Sequence, residues 1–450
     1  MEASNTGGAG ALRPRGRARG AARANLGGAF GQVWATFSAP GSVLLTLFLQ
    51  EWLHAAKWQI GLVLTMTYLG PTFEPPGAFL AEKLRRRRLI FLITHLINRT
   101  SFLAFALIPL LGTSDDCRNL GIALVFLVVG GTRVAAHLGA PAWWSWMADL
   151  VPDRCRSRFF GCRSQWNSFA TAGSFIIGMT LLHLYGGMEN THLVSILFTV
   201  GALFGMADIL MYLRVPEPSI RSVERGARSA KRRRERPGAS RSALRALTPF
   251  LAPFRRPGYR RLILGMGLWS FSANLVLPFV PVFQRGEMLG GHQLGLGVSW
   301  LFLAVLNVAT NLAAMATSRW WAGWSRRFGA RSLLLLGSGH LFVNALYFFA
   351  VPGRCAALLV VIAILTGAFA AAWMVSSSQF LLGVAPSENR SFYVSAYDFT
   401  NGWLMAGGPL LGGLLADHLP VLGAQLPWGL PCCYFHLLLT LALLGGAAAL

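Results

Sequence analysis

From Cys355 to Ser387 the chain carries no Asp, Glu, Lys or Arg. That run exceeds the roughly 20 apolar residues a helix needs to cross a hydrocarbon layer. Tyr259 to Gln284 is similar, with Arg260 and Arg261 near its start as the only charges. Buried core helices of a soluble protein can be apolar, but a chain that repeats such runs could not cover its surface with polar groups. The composition agrees: 54% of the 450 residues are hydrophobic and 13% charged, with mean hydropathy +0.50, against about a quarter charged in soluble domains. The chain therefore reads as an all-α polytopic membrane protein.

A net charge of +23 would suit a nucleic-acid partner if it formed one patch. Instead the basic residues fall in alternate loops. Lys83 to Arg88, Arg154 to Arg163, Arg214 to Gly258, Arg319 to Arg331 and Arg390 lie on one side. The other side has only Lys57, Arg118, Arg285 and Arg354. Positive loops stay in the cytoplasm, so both termini are expected there, and nucleic acid is not an expected partner. Residues 1–33 are rich in Gly, Ala and Arg and read as an unstructured basic cytoplasmic tail near anionic lipid. A signal-peptide reading fails because no small-residue cleavage site follows the first apolar run. The six cysteines lack metal-ligand spacing with His, and Cys117 and Cys355 are expected to stay unpaired.

The organisation repeats. Trp146 to Gly161 joins two apolar segments through a proline-marked turn in which Arg156 follows Pro152 by four residues. Arg390 follows Pro386 in the same way, and 386 − 152 = 234. Phe37-Ser38-Ala39 recurs as Phe271-Ser272-Ala273 at the same offset. The expected domains are a tail at 1–33, a helical bundle at 34–213, a basic linker at 214–258 and a second bundle at 259–450. About twelve spans are expected, the first at 34–50, as in many secondary transporters built from internal repeats.

Two loops carry a family resemblance. Ala78-Phe79-Leu80-Ala81-Glu82-Lys83-Leu84-Arg85-Arg86-Arg87 and Ala322-Gly323-Trp324-Ser325-Arg326-Arg327-Phe328-Gly329-Ala330-Arg331 each follow the second helix of a half. They resemble the Gly-x-x-x-Asp-Arg-x-Gly-Arg-Arg loop of the major facilitator superfamily. The first copy has Glu for Asp and lacks both glycines; the second lacks the acid. With the repeated Pro-x-x-x-Arg turns and the central linker, the resemblance covers essentially the whole chain. It implies two pseudo-symmetric six-helix bundles around a cavity that opens to each side in turn. It also implies a cytoplasmic latch involving Glu82, Arg86, Asp149, Arg156 and Arg390, in which carboxylates bond to Arg groups until the halves part. Gly408-Pro409-Leu410-Leu411-Gly412-Gly413 is similar to the family's antiporter motif, but it lies in the eleventh helix rather than the fifth. Close helix packing through small residues is the simpler reading.

Ionisable groups at membrane depth usually face a partner or a water-filled cavity. The expected substrate ligands are Arg133 and His137 on the fourth helix, Trp269 and Asn274 on the seventh, and Trp373, Ser377 and Gln379 on the tenth. Arg133 would meet an anionic group or a protein acid, and the aromatic and amide groups suit a polar organic molecule. Glu74, set among Pro71, Pro75 and Pro76, is the expected proton-coupling group, balanced by Arg133 or paired with Arg99. Asp208 and Asp398 are expected as caps or latch elements.

The chain is thus expected to be a monomeric secondary active transporter in a plasma membrane, a bacterial inner membrane in particular. Its expected partners are a small polar or amphipathic organic solute, lipid and a coupling proton, with no cofactor. A proton-driven drug or metabolite exporter is the nearest alternative; a membrane-embedded enzyme or a transporter-like sensor belongs to a different class. Ser338-Gly339-His340 is the nearest thing to a nucleophile and base, and adjacent helix positions do not face each other.

Overall fold

The computed structural model describes residues 14–84, 86–151, 153–217, 253–289, 292–384, 390–419, 421–425 and 431–450. Backbone groups in hydrocarbon must bond within their own segment, which makes helices the available solution for apolar runs. The first rod, 14–52, joins Pro14–Phe37, Val43–Leu47 and a π turn at Phe48–Trp52; the second, 57–84, joins Lys57–Tyr68 to Glu74–Leu84. There follow Arg87–Leu110, Asp115–Leu150, Asp153–Leu184, Thr191–Arg214, Pro257–Arg285, Trp300–Phe328, Ala330–Phe349, Ala356–Val384, Arg390–His418 and Tyr434–Ala449. Among the described residues, seven helices are long and apolar enough to cross a membrane. Most links between successive rods are short, 42 residues separate Arg214 from Pro257, and the links alternate between a basic face and an opposite face.

Local chemistry sets the breaks. Pro40 lacks an N–H donor, Gly41 adopts φ +85°, and the Ser42 hydroxyl caps Leu45 N at 3.2 Å, so the first rod bends there and restarts. Pro71 sits in a 3-10 turn at Gly70–Phe73 that offsets the two parts of the second rod. Leu127, Ile177, Met374 and Leu444 point outward and exposed, whereas Leu44, Phe48, Phe198, Phe279 and Phe435 fill the interior. An outer surface of this kind is stable only against lipid.

Two expectations need correction. Residues 14–33 are helix continuous with the first rod, not an unstructured tail. Ala24 is buried, and Gly27 and Gly31 lie against Asp208 with no room for a side chain; low hydropathy there reflects close packing rather than disorder. The all-helical expectation also missed two antiparallel hairpins on the face away from the basic loops, Glu287–Leu289 with His292–Leu294 and Val421–Gln425 with Pro431–Cys433. Cys117 and Cys355 are free thiols.

The two halves touch through rods 57–84 and 390–418, through 153–184 and 300–328, and at the ends of the first rod and of Pro257–Arg285. A methyl group added at Gly61 would strike the Pro409 carbonyl, and one at Gly413 would strike the Lys57 carbonyl. The Gly-Pro-x-x-Gly-Gly stretch is therefore where two backbones cross at contact distance, and Gly412 plays the same part against Leu275.

Candidate substrate pathway

On the face away from the basic loops the seam between the halves is closed by charge. Arg285 Nε donates to Glu51 Oε1 at 2.9 Å, and Nη1 of the same guanidinium donates to the Val298 carbonyl at 2.8 Å. Arg285 also stacks over the Trp300 ring at 4.2 Å. Lys57 Nζ lies 2.8 Å from Glu287. The Asp417 carboxylate accepts from Lys57 N at 2.9 Å and Trp58 N at 2.8 Å, so an acid of the second half caps a helix of the first. Deeper along the same crossing, the Thr65 hydroxyl donates to the Ala406 carbonyl at 2.6 Å and Gly402 lies against the Tyr68 carbonyl. Lys57 and Arg285 were marks of topology in the sequence; the structure makes them inter-half contacts.

Toward the basic face the seam widens. Gln32, Arg163, Ser164, Asn167, Ser168, Thr171 and Asn311 line an open, polar cavity of about 380 Å³. Thr171 Oγ1 donates to Gln32 Oε1 at 3.2 Å. Arg163 donates to the Ala24 carbonyl and to Tyr212 Oη, and lies over the Trp143 ring at 5.2 Å. A second, more enclosed pocket of about 220 Å³ lies beside it, among Val43, Phe175, Gln284, Asn307, Thr310, Asn344, Tyr347 and Thr366. The two are joined on one helix, where Asn311 Nδ2 donates to Asn307 Oδ1 at 3.0 Å. The available signal was the stripe Asn307, Thr310, Asn311, spaced i, i+3, i+4 on an apolar helix.

The charged residues within the first half are arranged differently from expectation. Glu74 does not pair with Arg99 or Arg133; its Oε1 lies 3.0 Å from His137 Nδ1. Gly70 packs directly on the His137 ring. Asp398 is exposed on Arg390–His418 of the second half. Arg99 instead bonds to Asp208 at 3.4 Å and lies 3.4 Å over the Trp34 ring. Asp208 is thus a buried counter-ion rather than a cap or latch element. Among the described residues the buried Nε of Arg133 has no hydrogen-bond partner.

Trp269 and Trp373 stack with centroids 3.8 Å apart, and His340 meets Trp269 edge-on at 4.7 Å. Trp269 is buried and its Nε1 has no partner among the described residues. Asn274 donates to the Ser270 carbonyl at 2.8 Å and packs against Gly408, which makes it a helix-crossing residue here. Ser377 is half-buried on the tenth-helix segment, and Arg86 is exposed before Arg87–Ser101. The side chains of Glu82, Asp149, Arg156, Gln379 and Arg390 lie outside the described residues. Ser338 donates to the Leu335 carbonyl, and His340 Nδ1 meets the Gly337 carbonyl at 2.8 Å, so these two do not form a nucleophile and base.

A helical membrane protein with a polar cavity between two packed halves has the build of a transporter. A family model described as Major Facilitator Superfamily matches residues 26–353, and the chain belongs to that superfamily. Among solved structures it is similar to the nucleoside transporter NupG, at TM-score 0.69 and 14% identity, covering 96% of this chain and 98% of that one. It is similar to a POT family transporter, at TM-score 0.62 and 14% identity over 96% and 95% of the two chains. The inward-open xylose transporter XylE from E. coli aligns at TM-score 0.60 and 17% identity over 95% and 94%. At these identities the likeness is one of fold. No curated protein matches the sequence significantly.

Proposed function

We propose that the chain is a secondary active transporter that moves a small polar organic solute by alternating access. In this reading it has twelve membrane-spanning helices in two six-helix bundles, with the basic face and both termini in the cytoplasm. The conformation described is then the one open to the cytoplasm. The observation that carries the reading is the asymmetry of the seam. Glu51–Arg285, Lys57–Glu287 and the Asp417 cap close one face, while the polar cavity between Gln32 and Asn311 opens toward the other. Two packed bundles with separable contacts can exchange which face is closed, and a solute that binds both arrangements is carried across. The nucleoside, peptide-family and xylose transporters of similar fold support transport as the activity.

Proton coupling is the second part of the proposal, carried by Glu74 and His137. A carboxylate and an imidazole 3.0 Å apart beside the seam are a pair of groups that can take up and release a proton. The test is uptake into proteoliposomes, with proton and sodium gradients imposed separately, of uridine, D-xylose and a dipeptide. Gradient-driven accumulation of at least one supports the reading; chemical conversion without movement sinks it in favour of an enzyme.

A further inference from the structure

Among the described residues, the lining of the second pocket carries no carboxylate, ammonium, guanidinium or imidazole. Its polar groups are Gln284, Asn307, Thr310, Asn344, Tyr347 and Thr366, set among Phe175, Leu277 and Ile362. Accounting for their hydrogen bonds shows what is left for a ligand. Gln284 Nε2 donates to Tyr347 Oη at 2.7 Å, which leaves the second Gln284 amide hydrogen and the Tyr347 hydroxyl hydrogen as donors and the Gln284 carbonyl oxygen as an acceptor. Asn344 Nδ2 is held by the His340 and Leu341 carbonyls at 2.8 and 3.2 Å, leaving its carbonyl oxygen. Asn307 Oδ1 accepts from Asn311, leaving the Asn307 amide N–H groups. The buried Thr366 hydroxyl has no partner among the described residues. Donors and acceptors are therefore both present, and all are neutral.

We propose that this pocket is the binding site for an uncharged organic solute that bears both hydroxyl or amide groups and an apolar face, and that it rejects ionised solutes. The proposal rests on the transporter reading and names the substrate class for it. An ion entering the pocket would give up its water with no opposite charge to replace it, whereas a neutral solute exchanges hydrogen bonds with water for bonds of the same kind. The route in is the vestibule of Gln32, Ser164, Asn167, Ser168 and Thr171, which meets the pocket at the Asn311–Asn307 bond. Arg163, the cation of that vestibule, is held by the Ala24 carbonyl, Tyr212 and the Trp143 ring. Arg133 lines neither space. Val43 and Phe175 come from the first half and the remaining lining from the second, so an occupant touches both bundles.

The test is charge-selective thiol labelling in proteoliposomes, with the native cysteines replaced by serine. Thr366→Cys, and separately Thr310→Cys, are reacted with the hydroxyethyl, sulfonatoethyl and trimethylammonioethyl methanethiosulfonates. Thr171→Cys in the vestibule is the control and should react with all three. The pocket positions should react with the neutral reagent about 10-fold or more faster than with either charged one, a ratio that corresponds to the loss of one or two hydrogen bonds. A charged reagent that keeps pace with the neutral one overturns the proposal. So does failure of all three at both pocket positions, because the pocket would then admit no solute. Uptake assays on matched pairs, uridine against uridine 5′-monophosphate and D-xylose against xylonate, separate the two levels of inference. Accumulation of a charged member in preference to its neutral partner overturns the substrate class and leaves transport standing. Absence of accumulation for every solute counts against transport, and the labelling ratio still decides the pocket.

Discussion

Glu51 and Arg285 bond at 2.9 Å and stand 234 residues apart, the offset that separates the two Pro-x-x-x-Arg turns. They stand at the ends of the first rod and of Pro257–Arg285, and their opposite charges hold those two ends together.

Glu51→Gln should shift the protein toward the state open at that face. The pair is about one-fifth exposed on each side, so its contribution is on the order of 1 kcal/mol, a change of about 5-fold in the ratio of states. Distances between spin labels on the outer ends of the two bundles check this. The reversed pair, Glu51→Arg with Arg285→Glu, should recover part of the shift, and equal distance distributions in all variants would remove the pair from gating.

Gly61→Val should have a larger effect on the same measurement. Its side chain would meet the Pro409 carbonyl where the two rods cross, so the closed seam cannot re-form without displacing backbone. The expected result is a population held open at the outer face with retained helix content by circular dichroism. An unchanged distance distribution would mean the crossing can spread without cost.

Much of this architecture is legible in the sequence. Uncharged runs mark helices because hydrocarbon tolerates little else, as at Ala356–Val384. What escaped was everything that depends on rotation about a helix axis. Glu74 was matched to Arg99 because both are charged at similar depth, yet Arg99 faces Asp208 and Trp34, and Glu74 faces His137. The helix at 14–33 was missed because the Gly27 and Gly31 that lower its hydropathy are there to admit Asp208. The neutral stripe Asn307, Thr310, Asn311 was readable, but charged residues drew attention first.

Asp208→Asn should destabilise the protein more than any seam variant. Arg99 and Asp208 are only 12% and 8% exposed, and removing one partner leaves a buried charge unbalanced, at about 3–5 kcal/mol. Thermal unfolding in detergent should register a drop of several degrees, while Arg99→Met with Asp208→Leu should recover much of it. A drop in the double variant as large as in the single one would show that the pair itself, rather than its charge balance, is required.

Glu74→Gln should leave solute exchange without a gradient intact and abolish accumulation driven by a proton gradient. The substitution removes the carboxylate that pairs with the His137 imidazole. His137→Asn should have a weaker effect in the same direction, because it removes the 3.0 Å partner of Glu74 but not the carboxylate. Full proton-driven accumulation by Glu74→Gln would eliminate this cluster as the coupling site.

For a solute to cross, the seam must open, and a reversible lock on it puts this to the test. The Thr65 hydroxyl donates to the Ala406 carbonyl at 2.6 Å across the halves, and a disulfide between Thr65→Cys and Ala406→Cys, its formation checked by mass spectrometry, locks the two rods there. With this pair in proteoliposomes, gradient-driven solute accumulation should stop on oxidation and return on reduction. Accumulation that continues at the same rate with the disulfide formed would contradict alternating access through this seam.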